Sequence, residues 1–160
     1  MAELRINFTR NDKLAGFDQI FVEAAVPRMT ALGEQGVALV QQGAPVDRSV
    51  FRNSITTSVD VQPQAVSVSV FSQADPIVVN VIEDGRAPGT WPRLDAIRGW
   101  VARKLGVVGK SLARVAYLVS RKIKERGIPG RHVFLNAFNN LRPQIDKTAE
   151  EITAEIAKRI

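Results

Sequence analysis

The chain has 160 residues, a net charge of +6 at pH 7 and no cysteine. Its length suits one domain with a core of ordinary size, and an apolar content of 45% excludes wholesale disorder. The missing cysteines exclude disulfides, thiolate metal sites and cysteine nucleophiles, Met1–Phe8 has no apolar run of the signal-peptide kind, and no stretch approaches the ~20 apolar residues of a membrane span.

Leu4, Ile6 and Phe8 alternate with Arg5 and Asn7, which predicts a short strand. Asn11 and Asp12 offer a cap to the next element. A helical pattern then runs from about Leu14 to Gln42, with Phe17, Ile20, Phe21 and Ala24 as a stripe that Leu32, Leu39 and Val40 resume. Pro27 lies inside it, removes a backbone donor and clashes with the preceding turn, so a kink or two shorter helices is expected. Gly33 and Gly36 weaken the second half, and Gly43 with Pro45 stops it. Ala44 to Ile55 reads as an extended entry into a sheet. Ala44 precedes a proline and is pushed out of the helical region, while Asp47 and Ser49 can bond local backbone.

Ile55, Thr57, Val59 and Val61 alternate with polar residues, and after a turn at Gln62–Gln64 so do Val66, Val68 and Val70. Both runs read as half-buried antiparallel strands. Past a second turn at Ser72–Pro76, Ile77–Ile82 is apolar on both faces and predicts a central strand, making three consecutive strands in a meander. Glu83–Pro92 is a glycine- and proline-rich loop. A helix begins at about Pro92 with Leu94, Ile97, Val101 and Leu105 on one face, ended by Gly106. A second opens at Gly109-Lys110-Ser111 and runs to about Arg126, with Leu112, Val115, Val119 and Ile123 as its stripe; Gly127, Pro129 and Gly130 stop it. The last helical pattern begins near Asn136, with Pro143 as a fresh start and Ile145, Ala149, Ile152, Ile156 and Ile160 at helical spacing. The fold class is therefore α+β, a small antiparallel sheet packed by a long N-terminal helix and C-terminal helices. It forms a single domain over residues 1–160, with a helical insert at about 92–127 and a C-terminal helix at about 143–160.

The positive charge is concentrated. From Arg86 to Arg131 there are 12 lysines and arginines, opposed only by Asp95 and Glu125. Such a block either meets phosphate or an acidic partner, or is the solvated face of two helices. Trp91 and Trp100 flank its start, and aromatics among cations can stack bases; Trp100 and Tyr117 equally suit packing. A basic nucleic-acid-binding protein is thus one reading, with Arg98, Arg103, Arg121 and Lys122 as its phosphate contacts.

Catalytic patterns are weak. His132 is the only histidine and has no cluster of carboxylates near it in sequence, so it reads as a structural or surface imidazole. A serine nucleophile would need His132 as its base, and no nucleophile elbow is present. Glu83 and Asp84 stand at the start of a loop without a second acid pair at fixed spacing. Gly106–Ser111 ends in Gly-Lys-Ser but holds two residues between its glycines, where a phosphate-binding loop needs four. The expectation is no cofactor, no metal and no enzymatic activity; a hydrolase using Glu83, Asp84 or His132 is the least supported reading.

One set of motifs resembles a known family. Ala44-Pro45-Val46-Asp47 followed by Arg52-Asn53-Ser54-Ile55, antiparallel strands, Glu83-Asp84-Gly85 and later Arg131–Phe138 is similar, over about residues 15–140, to the tail-component (tail-completion) family of tailed bacteriophages. That family usually carries threonine-glycine where Arg48-Ser49 stands here. Gly89-Thr90-Trp91-Pro92 and Ala96–Val101 resemble a subset with an added helical insert. The resemblance implies a non-enzymatic virion part made in the host bacterial cytoplasm. It would be a ring-forming subunit, often sixfold, that joins the head connector to the tail. Its partners would be copies of itself, other neck, connector and tail-tube proteins and DNA in transit, with no membrane. Glu83, Asp84, Arg86, Trp91, Arg98, Arg103, Arg121 and Lys122 would then lie at interfaces.

Overall fold

The computed structural model describes residues 2–9, 17–47 and 49–159. Asn11, Asp12 and Leu14, expected to open the first helix, and Ile160, expected to end the last isoleucine stripe, lie outside the described residues. The fold is α+β, and the chain divides into two compact units, residues 1–83 with 132–160, and residues 84–131.

The larger unit holds a sheet of three strands, β1 (Glu3–Thr9), β2 (Ile55–Gln62) and β3 (Ala65–Ser72), in the order β1-β3-β2 with both pairings antiparallel. Ile6 and Val59 flank Val68 in register, and Leu4 and Thr57 flank Val70. The period-2 pattern thus turns one face of valine, isoleucine and leucine toward a long helix, α1 (Phe17–Gly43). Val66, Val68 and Val70 are fully buried. The third strand of the sheet is the N-terminal one. Ile77–Ile82, expected as a central strand, belongs to a helix, α3 (Pro76–Glu83). A short apolar run cannot be assigned by periodicity alone, and here the preceding residues decide. The Asp75 carboxylate accepts a hydrogen bond from the Ile77 N–H at 2.8 Å, and Pro76 takes the first helical position, where its missing donor costs nothing. The meander is therefore replaced by a β2–β3 hairpin with β1 on its far side.

Of the two outcomes expected at Pro27, the division into two shorter helices does not occur, since α1 runs unbroken from Phe17 to Gly43. Pro27 and Glu23, whose carbonyl loses its helical donor to the proline, both lie on the exposed side, where water can meet that carbonyl. The opposite side is held by buried Phe21, Ala24, Ala25, Met29 and Leu32. Pro143 behaves the same way. It sits exposed inside one continuous helix, α6 (Val133–Arg159), which starts ten residues before the fresh start expected at Pro143. Its buried side is Val133, Phe134, Ala137, Leu141, Thr148 and Ile152. Arg159 bridges α6 to α1 through Glu23 at 3.0 Å. Between Gly43 and β2, the expected extended entry instead contains a turn of helix, α2 (Val50–Asn53), whose Phe51 meets Phe134 edge-on at 6.5 Å between centroids.

The smaller unit is a helical hairpin, α4 (Leu94–Leu105) and α5 (Lys110–Arg126), rooted on a two-residue ribbon in which β4 (Gly85–Arg86) pairs with β5 (Ile128–Pro129). The insert expected at 92–127 lies inside it. Gly106, with φ of 64°, ends α4 as the sequence anticipates. The apolar stripes are less buried than their spacing suggests. Only Val101, Ala116 and Ser120 are fully enclosed, and the Ser120 hydroxyl has no hydrogen-bond partner among the described residues.

Candidate functional site

Of the eight residues expected at interfaces, Glu83 lies in the larger unit and the other seven in the smaller. Glu83 is 7% exposed. Its Oε2 accepts the Phe134 N–H at 3.0 Å and its Oε1 the Leu135 N–H at 3.1 Å, while its backbone carbonyl accepts the His132 N–H at 3.1 Å. It therefore caps the N-terminus of α6 from 51 residues away in the chain. Both carboxylate oxygens are occupied by the backbone, and the chemical tasks considered for this acid would have to displace those bonds. His132 is exposed and holds a φ of 51° at the point where the chain re-enters the larger unit. Among the described residues no three His, Cys, Asp or Glu side chains are grouped so as to hold a metal ion, and no helix is long and apolar enough to cross a membrane.

The larger unit also carries an apolar groove of about 340 Å³ beside α2 and α3, lined chiefly by Pro45, Val50, Phe51, Ala74, Val78 and Ile82, together with Asp47 and Asp75. Val46, Val50, Ile77 and Val78 stand exposed in these segments, Ile77 at 73%. The reason is local. A helix eight residues long with mostly Val and Ile cannot bury all its faces on one sheet and one helix, so its outer face is left apolar.

In the smaller unit the structure joins Arg86 to the loop that carries Trp91, and Trp91 to α5. The Arg86 guanidinium donates to Thr90 Oγ1 at 2.8 Å and to the Trp91 carbonyl at 2.9 Å, which fixes the loop that carries Trp91. The indole stacks on Tyr117, with ring centroids 5.6 Å apart and planes 28° apart, and Lys124 Nζ lies 5.0 Å from the indole centroid. Trp91 is 46% exposed and Tyr117 51%. Tyr117, which sequence placed among packing residues, is thus half of a surface aromatic pair. Arg121 lies one turn beyond Tyr117 and donates from Nε to Glu125 at 2.8 Å. That hydrogen bond, reinforced by the Glu125 charge, raises the Arg121 pKa above the ordinary arginine value and keeps it cationic. Arg98 pairs loosely with Asp95 at 4.0 Å on α4, and Asp84, Arg103 and Lys122 are exposed.

Sequence reading missed Tyr117 and Lys124 as partners of Trp91, and Thr90 as a partner of Arg86. The available signal was the spacing of Lys110, Arg114, Tyr117, Arg121 and Lys124, which is i, i+4, i+7, i+11, i+14 and so one face of a helix. Residues 84–131 hold 12 lysines and arginines against Asp84, Asp95 and Glu125, so this unit carries +9 and the rest of the chain −3. No protein-family model, curated protein or solved structure matches the chain.

Proposed function

We propose that the protein is a non-enzymatic virion part of a tailed bacteriophage, a neck or tail-completion subunit that assembles with its own copies into a ring, sixfold as is usual in the family it resembles. The observation that carries this reading is the apolar groove by α2 and α3 with Ile77 and Val46 exposed beside it. An apolar surface of this kind on a protein in water is best accounted for by a protein neighbour. A head-to-tail ring needs two different patches that fit each other. The groove on the unit of charge −3 supplies one, and Leu105, Val108 and Leu118, exposed on the unit of charge +9, supply an apolar counterpart of opposite sign. The resemblance adds support at Ser49, which stands where the family carries glycine and adopts a φ of 55°, a region glycine enters freely. In this reading the ring lies between the head connector and the tail tube, is made in the bacterial cytoplasm and functions in the virion. Its neighbours are other neck, connector and tail-tube proteins.

Light scattering tests the assembly. The wild-type protein is expected to form a closed oligomer of defined mass. Ile77→Asp and Val78→Asp, on the exposed side of α3, are expected to shift that mass to the monomer with little change in circular dichroism. A wild-type chain that stays monomeric at every concentration, and is missing from purified particles, would end the proposal.

A further inference from the structure

We propose that the face of α5 carrying Trp91 is a binding site for single-stranded nucleic acid, with the indole as a stacking platform for a base and the cations along the helix as contacts for successive phosphates. Trp91 takes both its neighbours, Tyr117 and Lys124, from α5, so the indole rests on that helix while nearly half of the residue remains in water. The loop that presents it is held by the Arg86 hydrogen bonds to Thr90 and Trp91, so little ordering remains to be done when a ligand arrives.

Lys110, Arg114, Arg121 and Lys124 share the face with Tyr117. From first to last this line stretches about 21 Å at 1.5 Å per helical residue. A short anion needs one or two cations; a line of this length fits an extended polyanion. Glu125 is the one acid on α5, and it is occupied by Arg121. Charge alone would favour any polyanion, but an exposed, pre-positioned indole inside a cationic face adds a partner with flat, accessible π surfaces. That is the unpaired base, since bases in a duplex are already stacked on one another. The site uses neither the groove nor Leu118, and shares with the ring reading only the positive charge of this unit.

Fluorescence tests it directly. Trp91 and Trp100 are the only tryptophans, so Trp100→Phe leaves Trp91 as the sole reporter. Titration of this variant with a dodecamer of deoxythymidylate at ~50 mM salt is expected to quench the emission. Heparin, and a duplex of the same length, are expected to bind without that quenching. Trp91→Ala is expected to weaken oligonucleotide binding about 5- to 150-fold at unchanged salt dependence, and Trp91→Phe to recover most of the loss. Arg114→Ala with Lys124→Ala is expected to lower the slope of log affinity against log salt by roughly one to two. Absence of oligonucleotide binding at ~50 mM salt overturns the proposal. So does binding in which Trp91→Ala changes nothing, or in which duplex and single strand quench alike. If Trp91→Ala alters the mass by light scattering and leaves oligonucleotide affinity intact, the face belongs to a protein neighbour and the proposal fails. Each variant alters an exposed side chain or, at Lys124, a half-buried one, and its circular dichroism reports whether the fold is kept.

Discussion

Glu83 does the work of a cap without being next to the helix it caps. The first N–H groups of α6 have no partner within the helix, and Phe134 is buried, so without the carboxylate its N–H would lie unpaired away from water. The negative charge also sits at the positive end of a helix of 27 residues. Glu83→Ala is expected to cost about 1–3 kcal/mol, the penalty of leaving buried donors unmatched. Glu83→Gln is expected to cost about 1 kcal/mol or more, since one oxygen survives while its NH2 group faces an N–H. Urea unfolding with an unchanged m value measures both. A Gln variant as stable as wild type would mean that the N–H groups find other acceptors. Nothing in the sequence near position 83 announces this role. The cap and the helix are far apart in the chain, and local capping rules search only the neighbouring turn.

At the scale of elements, the seam between α1 and the sheet depends on two residues that looked like weaknesses. Gly33 and Gly36 lower helix propensity, yet a Cβ on Gly33 would lie 2.5 Å from Val68 Cγ2 and 2.6 Å from Thr57 Oγ1, and one on Gly36 would lie 2.9 Å from Val70 Cγ2. The glycines let the helix axis come close to the central strand, and their loss would push the two apart. Gly33→Ala, which gains about 0.5–1 kcal/mol in an ordinary helix, is here expected to destabilise by about 1–3 kcal/mol through overpacking. A thermal melt lowered by several degrees would agree with this; a raised midpoint would show that α1 can shift at no cost. The same scale explains what sequence made readable. β2, β3, α4 and α5 carry their own period and their own stops, such as the alternating valines of β3 and Gly106 after α4, and these were legible. The departures at the two prolines, Pro27 and Pro143, and at Ile77–Ile82 have separate origins. A proline on the solvent side of a helix costs less than its local rule implies when the other side is buried in the core. A run of valine and isoleucine takes its structure from the residues that cap it, and Asp75-Pro76 was the readable sign. The candidate site was half legible, because the cations and Trp91 stand out in the chain while their pairing with Tyr117 and Lys124 depends on how the 84–93 loop returns to α5.

For the whole molecule, the boundary between the units falls where the chain leaves and re-enters almost at one point. The Glu83 carbonyl and the His132 N–H are joined at 3.1 Å, so the 48 residues of the smaller unit enter and leave the larger one side by side. The core of the larger unit is drawn wholly from residues before 84 and after 131. The smaller unit, with three fully enclosed side chains, has too little core to stand alone. This asymmetry predicts the result of excision. Replacing residues 85–130 by a glycine-rich link of three or four residues keeps Glu83, its bonds to Phe134 and Leu135, and the entire sheet. Closing a short loop in place of a long one costs less chain entropy, by up to about 2 kcal/mol. The shortened protein is therefore expected to unfold cooperatively, with a stability equal to or above that of the full chain. It is also expected to keep the groove by α3 and, having shed a segment of charge +9, to carry a net charge of −3. With both the Trp91 face and the basic counter-patch gone, it should neither quench with nor bind an oligonucleotide, and it should remain monomeric. A collapsed or aggregated product would show that the larger unit leans on the smaller for its stability. A well-folded product that still forms the full oligomer would show that the ring is built from the larger unit alone.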